Sequence, residues 1–212
     1  MHALLAQMTK QLCAGLSHKA IENPSDWAQR YRIMGGELPG PFELKYFPWT
    51  KEIHDCEAEM FCGMKGAQLG YSETAINRVF SKIDTLAISC LYVLPDSKSA
   101  GKFSNSRFDP AVELSPRLQE LFTDTKNIGH KRAGSANLFI RGSRSKSGLK
   151  SDPIGDLTLD ELDEMVQENI PLAMERLSGH KSRQCFQLST PTIEDYGIHA
   201  VYKRSNQCHY IF

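Results

Sequence analysis

The sequence predicts an α/β fold with a mostly parallel, doubly wound sheet and a helical extension at the N-terminus. Short apolar runs of strand length alternate with longer segments whose apolar residues recur at helical spacing. Turns rich in glycine, acids or hydroxyl residues follow three of the apolar runs. Because functional sites in such sheets lie beyond the carboxyl ends of the strands, these turns are the first places to look for chemistry.

Length and composition fit one sizeable globular domain. The chain has 212 residues, of which 41% are hydrophobic, and its 25 Lys and Arg balance its 25 Asp and Glu. The six cysteines form no C-x-x-C pair, which favours a reduced, cytosolic protein over a disulfide scaffold or zinc site. No apolar run reaches about 18 residues, so no membrane-spanning segment is predicted.

The N-terminal region is predicted to be helical over residues 1–34, because its apolar residues recur near helical spacing. Gly35-Gly36 and Pro39-Gly40-Pro41 then predict a linker, since glycine and proline interrupt regular structure. We therefore divide the chain into an N-terminal helical segment with its linker, residues 1–38, and a main domain, residues 39–212.

Strands and helices are predicted to alternate in the main domain. The predicted strands are Met60–Met64, Leu86–Leu94, Leu138–Ile140, Ile154–Leu159, Gln184–Leu188 and Cys208–Phe212. The predicted helices are Ser72–Ile83, Ser99–Ser106, Pro110–Leu121, Glu161–Leu177 with a break at Pro171, and Glu194–Lys203.

The turn after the first strand resembles a rearranged phosphate-binding loop. It reads Lys65-Gly66-Ala67-Gln68-Leu69-Gly70-Tyr71-Ser72. Gly70 and Ser72 match the last glycine and the hydroxyl residue of G-x-x-x-x-G-K-[ST], whereas Tyr71 takes the lysine position and Lys65 that of the first glycine. Backbone N–H groups and a helix N-terminus bind phosphates whichever residue carries the cation. The alternative is a plain strand–turn–helix connection in which Gly70 only supplies the turn.

Two adjacent acids, Asp160 and Glu161, end a later strand. An ATP-hydrolysing enzyme uses such a pair, because the aspartate orients Mg²⁺ and the glutamate activates the attacking water. The alternative is the acid-rich first turn of a solvated helix.

A third turn, Ser189-Thr190-Pro191-Thr192, follows the strand Gln184–Leu188. Small hydroxyl residues there could sense a γ-phosphate and transmit its loss, and the alternative is a plain loop with a helix cap. Three such motifs in this order, each after a predicted strand, indicate a nucleotide-hydrolysing domain.

With these motifs the sequence resembles the GpA-type large terminase subunits of tailed phages along nearly its whole length. Trp27-Ala28 with Tyr31-Arg32 resembles W-A-x-x-Y-R, and Pro48-Trp49 with Glu52-Ile53 resembles P-Y-x-x-E-I with Trp49 in place of the usual tyrosine. The other segments that match the family's motifs are Met64–Glu73 (its displaced-lysine loop), Leu94-Pro95, Phe108–Pro110, Gly142–Ile154, Asp160–Asp163 (its D-E-x-D) and Ser189–Thr192 (its S-T-P-T).

The resemblance implies a P-loop NTPase of the RecA-like (ASCE) type that hydrolyses ATP with Mg²⁺ and moves double-stranded DNA into a procapsid. The implied partners are the small terminase subunit, the portal of the procapsid and further copies in a homo-oligomeric ring, in the host cytoplasm and away from any membrane. It also implies a C-terminal nuclease domain, which we expect beyond this chain, so endonuclease activity is expected only of the full-length protein.

The expected roles follow from these matches. Lys65 is expected on the β- and γ-phosphates, Ser72 and Asp160 on Mg²⁺, and Glu161 as general base. The other expected site residues are the loop residues Gly66, Ala67, Gln68, Leu69, Gly70 and Tyr71, Trp49 near the adenine, and Ser189, Thr190 and Thr192 in coupling hydrolysis to movement.

Charge distribution adds one candidate DNA surface. Between Ser97 and Ser151 there are eleven basic and four acidic residues. The basic residues from Lys126 to Lys150 are candidate contacts to DNA phosphates, and ordinary solvated loops are the alternative. Two rival functions also stay open: a superfamily 2 helicase-like ATPase, which should carry a standard G-K-[ST] loop, and a non-catalytic docking module of the packaging complex.

Overall fold

The computed structural model describes residues 23–122, 127–150 and 152–206, and no helix within these ranges is long and apolar enough to cross a membrane. The predicted helix before Asn23, the basic residue Lys126 and the predicted strand Cys208–Phe212 lie outside the described residues.

Eight strands are present in the described chain. They are β1 Ile33–Met34, β2 Gly40–Pro41, β3 Met60–Met64, β4 Cys90–Leu94, β5 His130–Ala133, β6 Ala136–Gly142, β7 Asp156–Asp160 and β8 Gln184–Ser189. The last six form one sheet in the order β3-β8-β7-β4-β6-β5. All neighbours in it are parallel except β5, which runs antiparallel to β6. The predicted α/β class with a mostly parallel sheet is confirmed.

Short helices connect the strands. They are α1 Pro24–Tyr31, α2 Thr50–His54, α3 Tyr71–Leu86, α4 Ser97–Phe103, α5 Asp109–Leu114, α6 Pro116–Leu121, α7 Lys146–Lys150, α8 Ile170–Met174 and α9 Gly197–Lys203. A π-helical turn, Ser104–Phe108, joins α4 to α5. The 3₁₀ turns are Leu44–Tyr46, Leu162–Glu164, Gln167–Asn169 and Glu175–Leu177.

The sheet is covered on both faces, as a doubly wound fold requires. Every residue of β4 and β7 is buried. In β4 this explains why the sequence reads as a nearly continuous apolar run, whereas β7 alternates buried leucines with buried Asp156, Thr158 and Asp160. Alternate residues of β4 enter different cores: Tyr92 packs with α3 and α4, whereas Leu91 and Val93 pack with α7, α8 and α9. The sheet therefore separates two hydrophobic cores, and its central strands β4 and β7 are shielded from water.

The described part of the N-terminal segment packs against α3. Trp27 is fully buried, lies 6.3 Å from Phe80 between ring centroids, and donates a hydrogen bond from Nε1 to Asp84 Oδ2 at 2.8 Å. The helix ends at Tyr31, so the prediction of helix up to residue 34 is wrong: Ile33–Met34 pairs with Gly40–Pro41 as an antiparallel β1–β2 ladder. The division of the chain at residue 38 stays a prediction.

Several elements differ from the sequence prediction. The helix α3 continues to Leu86 and ends in left-handed Ala87 (φ 52°), so β4 begins only at Cys90. The predicted helix Glu161–Leu177 is instead a series of 3₁₀ turns around α8, because Glu161 is left-handed and Pro171 has no N–H to continue a helix. The polar edge strand β5 was not predicted.

Buried polar contacts fix α3 to the sheet. Lys82 Nζ pairs with Asp156 Oδ1 of β7, and these side chains are only 10% and 2% exposed. Arg78 donates to Ile53 O at 3.1 Å and to Gln184 Oε1 at 3.2 Å, and its guanidinium lies 4.7 Å from the ring centroid of Phe186. Because α3 begins at the candidate phosphate loop, these contacts also hold that loop relative to β7 and β8.

Candidate nucleotide-binding site

The three sequence motifs meet at the carboxyl ends of the parallel strands. Parallel β3, β8 and β7 end side by side, with Met64 opposite Ser189 and Asp160 opposite Leu188. The Lys65 N–H continues the ladder by donating to Ser189 O at 3.0 Å. The phosphate-loop candidate, the acidic pair and the S-T-P-T turn are therefore neighbours in space, as expected for strand ends in a parallel sheet.

The loop between β3 and α3 has the backbone that a tight strand-to-helix turn needs. Gly70 is left-handed (φ 78°), and a Cβ there would lie 3.1 Å from Phe47 Cγ, so both its conformation and its space favour glycine. Gly70 O accepts from Thr74 N and Thr74 Oγ1, both at 3.0 Å, which starts α3. Trp49 Nε1 donates to Leu69 O at 3.1 Å, so Trp49 contacts the loop backbone.

Lys65 and Glu161 form an ion pair across the site. Lys65 Nζ lies 3.1 Å from Glu161 Oε1, and the two side chains are 7% and 41% exposed. Glu161 has φ 65°, a left-handed conformation that costs energy for a residue other than glycine and that occurs often at functional sites. Lys65, which occupies the first-glycine position of the loop motif and not its usual lysine position, therefore lies next to Glu161, the expected general base.

Asp160 is buried and is held by two hydroxyl groups. Ser72 Oγ donates to its Oδ1 at 3.3 Å and Tyr92 OH donates to its Oδ2 at 2.7 Å. Burial raises the pKa of Asp160, and the two hydroxyl hydrogen bonds oppose that change. Burial also raises the pKa of Tyr92 well above its ordinary value, so the phenol stays protonated and remains a donor.

The oxygen atoms at this position fit Mg²⁺. Magnesium prefers hard oxygen ligands and is held in nucleotide sites by one or two protein groups together with phosphates and waters. Ser72 and Asp160 supply one hydroxyl and one carboxylate oxygen that already lie together. The chemistry of this donor set therefore suits a nucleotide-bound magnesium ion.

Tyr92 and a second polar cluster were missed by the sequence reading. Tyr92 occupies an otherwise apolar strand, and its only sequence signal is a hydroxyl on a strand beside the acidic one. The carboxylate of Glu73, next to Ser72, accepts hydrogen bonds from Arg32 Nη2 at 2.9 Å and from Arg107 Nη1 at 2.7 Å. Because Arg32 and Arg107 lie far from the loop in sequence, no local pattern predicts their place at the start of α3.

Two residues of the S-T-P-T turn contact the acidic segment. Ser189 is buried and its Oγ accepts a hydrogen bond from Asp163 N at 3.1 Å. Thr192 is exposed as a residue, but its N–H and Oγ1 both donate to Asp163 Oδ2, at 2.8 and 2.9 Å. Thr190 is exposed, and its carbonyl oxygen accepts from Ser189 Oγ at 3.2 Å.

Two solved structures resemble this chain in fold. The HK97 bacteriophage large terminase superposes with a TM-score of 0.71 at 13% identity, over 85% of this chain and 40% of that one. The Thermus phage P74-26 large terminase ATPase domain gives a TM-score of 0.53 at 15% identity, over 73% of this chain and 66% of that one. At such identities the two likenesses show the fold alone, and this chain spans only part of each. No curated protein matches the chain.

Family membership comes from the sequence match. The family model described as "Phage terminase large subunit gpA, ATPase domain" matches residues 36–212, which is most of the chain. The matched region contains the loop, the acidic pair and the S-T-P-T turn whose geometry is given above. The chain belongs to the family of the phage terminase large subunit gpA, ATPase domain.

Proposed function

We propose that this chain binds ATP with Mg²⁺ at the carboxyl ends of its parallel strands and hydrolyses it to drive double-stranded DNA into a procapsid. The observation that carries the proposal is the meeting of Lys65 with Glu161 and of Ser72 with Asp160, which joins two motifs distant in sequence. The family match supports the same reading and weighs against a superfamily 2 helicase-like ATPase.

The proposed phosphate contacts come from Lys65 and from the backbone of the loop. Lys65 turns from Glu161 to the β- and γ-phosphates, which offer more negative charge than a single carboxylate. The backbone N–H groups of Gly66, Ala67, Gln68, Leu69 and Gly70, followed by those of Tyr71 and Ser72 at the start of α3, line the phosphates. Trp49 supports the loop backbone at Leu69 and packs near the adenine.

Magnesium would be held by Ser72 and Asp160, and when bound it neutralises charge on the phosphate oxygens. Tyr92 keeps Asp160 oriented through its hydrogen bond to Oδ2. Glu161 loses its lysine partner when Lys65 binds phosphate, and its carboxylate then accepts a proton from the attacking water. Ser189, Thr190 and Thr192 lie beside this site and relay the loss of the γ-phosphate to the rest of the domain.

The first test measures ATP binding to the purified chain by calorimetry, with and without Mg²⁺. We expect magnesium-dependent binding that Lys65→Ala weakens by about 10- to 100-fold, because hydrogen bonds to charged groups contribute about 1.5–3 kcal/mol. Lys45→Ala is the matched control, since Lys45 is exposed and pairs with Glu43, which is not among the proposed site residues. Equal affinity of Lys65→Ala and wild type contradicts the site, and absence of binding in all folded variants favours the docking-module function.

DNA binding is assigned to a basic edge made of Lys98, Lys102, Arg144 and Lys146. All four are exposed. The turn that carries Arg144 packs on the start of α4, because Gly142 contacts the backbone of Asp96 and Ser97. The carboxyl ends of β4 and β6 put this basic edge on the same side of the sheet as the phosphate loop.

Lys98 and Lys102 are additions to the predicted candidates, which run from Lys126 to Lys150, and the structure removes one residue from that range. Lys131 is fully buried and pairs with Asp109 at 3.0 Å, so it was wrongly included as a DNA contact. Arg141 is half-buried and donates to backbone oxygens at Gly129 and Ile140. Arg132 and Lys150 are exposed and stay candidates.

Charge reversal tests the basic edge. The double variant Arg144→Glu with Lys146→Glu is expected to weaken binding of duplex DNA and to lower the salt slope of log affinity by about two, since each lost phosphate contact removes about 0.9. Lys181→Glu with Arg183→Glu gives the same charge change just before β8, where the parallel strands begin. This double variant should bind duplex DNA as wild type does. Equal affinities and slopes for the two double variants contradict the assignment.

We extend the proposal to the family's expected assembly. The ATPase works with the small terminase subunit, the portal of the procapsid and further copies of itself in a ring in the host cytoplasm. Endonuclease activity belongs to a separate nuclease domain of the full-length protein and not to the site described above.

A further inference from the structure

Asp163 joins the acidic turn to two later segments of the chain. Its Oδ2 accepts from Thr192 N and Oγ1 at 2.8 and 2.9 Å, and its Oδ1 accepts from Ile198 N at 2.7 Å. Its own N–H donates to Ser189 Oγ at 3.1 Å. Asp163 is 6% exposed, so these four bonds are largely shielded from water and hold their geometry.

The start of α9 is shaped around this carboxylate. Gly197, its first residue, has φ +49°, and a Cβ there would overlap Asp163 Oδ1. Glycine is therefore required for both conformation and space, and it brings the Ile198 N–H to the carboxylate. Ile198 is fully buried, and its carbonyl oxygen lies 3.8 Å from Cys62 Sγ of β3, so α9 packs directly on the strand that leads to the phosphate loop.

The same acidic turn contains Glu161. Only Leu162 separates Glu161 from Asp163, and the 3₁₀ turn Leu162–Glu164 begins directly after the left-handed Glu161. If Lys65 left Glu161 for a phosphate, a change in the Glu161 backbone would be passed directly to Asp163, because left-handed strain at Glu161 persists only while its surroundings hold it. No other step is needed to reach Thr192 and α9.

We propose that Asp163 is a positioning residue that transmits the nucleotide state of the Lys65–Glu161 pair to the S-T-P-T turn and to α9. The inference rests on the proposed ATP site and deepens it. It adds the Asp163 carboxylate to the hydroxyl residues of the S-T-P-T turn as part of the relay, and it makes α9 part of the response.

Hydrogen exchange of backbone amides tests the relay, measured with and without Mg²⁺ and a non-hydrolysable ATP analogue. In the wild type we expect the analogue to change exchange both in residues 65–72 and in residues 189–203. Asp163→Asn keeps the side-chain size, but its NH₂ group cannot accept, so at least one of the three accepted bonds is lost. We expect the change at 65–72 to persist in this variant and the change at 189–203 to fall at least about fivefold.

Two further variants make the result decisive. Glu164→Gln is the matched control, because Glu164 is exposed, lies in the same 3₁₀ turn and loses the same charge. Thr192→Val removes only one hydroxyl bond to Asp163; it is expected to weaken the response at 189–203 and to give the answer should Asp163→Asn fail to fold.

The outcomes separate the relay from the ATP site. The relay is overturned if folded Asp163→Asn binds the analogue and still shows the full change in hydrogen exchange at residues 189–203. If Asp163→Asn does not fold, the same result with Thr192→Val overturns it. So does a wild type that binds the analogue and responds only at 65–72. A wild type that binds no analogue shows no response in either segment; this overturns the ATP site, and with it the relay that rests on it.

Discussion

Replacing Glu161 by Gln is expected to lower ATP turnover by about 10²- to 10⁴-fold, the usual contribution of a positioned general base. Gln has nearly the same shape as Glu but cannot take a proton from the attacking water. Affinity for Mg²⁺–ATP should stay equal or rise, because the Lys65–Glu161 contact at 3.1 Å competes with phosphate for Lys65 and a neutral amide competes less. The predicted signature is therefore lost turnover with retained binding.

Single-turnover hydrolysis and calorimetric binding measure these two quantities separately. Glu164→Gln serves again as the control, since it removes an exposed carboxylate from the same turn and should leave turnover within about threefold, the range of unimportant surface changes. If Glu161→Gln hydrolyses ATP as fast as this control, Glu161 is not the base.

Replacing Lys82 by Met is expected to lower the free energy of unfolding by about 3–5 kcal/mol, because it leaves the Asp156 carboxylate buried without its ion-pair partner. Asp156 begins β7 and Lys82 belongs to α3, so the loss falls on the contact between the loop helix and the strand that carries Asp160. Urea denaturation followed by circular dichroism measures the change.

A second lysine and a double variant control for this effect. Lys51→Met breaks the exposed pair between Lys51 and Asp55 and should change stability little, because solvent screens surface ion pairs. Lys82→Met combined with Asp156→Leu should recover most of the loss, since apolar residues often replace a buried ion pair without cost. Comparable destabilisation by Lys82→Met and Lys51→Met would show that the buried pair contributes no more than the exposed one.

Much of the fold was accessible from the sequence because its signals are local. The buried strand β4 reads as an apolar run, and the motifs after β3, β7 and β8 lie at the ends of their strands as predicted. Parallel pairing then brings those ends together without further information. This is why the sequence alone predicts that Lys65, Ser72, Asp160 and Glu161 lie close together.

The parts that were missed depend on contacts that no local pattern contains. Tyr92 reads as an ordinary core aromatic, and its hydroxyl gains meaning only from the pairing of β4 with β7. The hydrogen bonds of Asp163 to Thr192 and Ile198 span about 30 residues of chain. The helix predicted after Asp160 is absent because the left-handed backbone of Glu161 overrides the helical propensity of the residues that follow.

The position of β8 between β3 and β7 sets a length requirement on side chains that meet across it. Two strand spacings, about 9–10 Å, separate β3 from β7. Only extended side chains from both sides meet across such a gap, as those of Lys65 and Glu161 do. A terminal phosphate that replaced this contact would lie directly beyond the end of β8, and the backbone at Ser189 and Thr190 would be the first part of the protein below it.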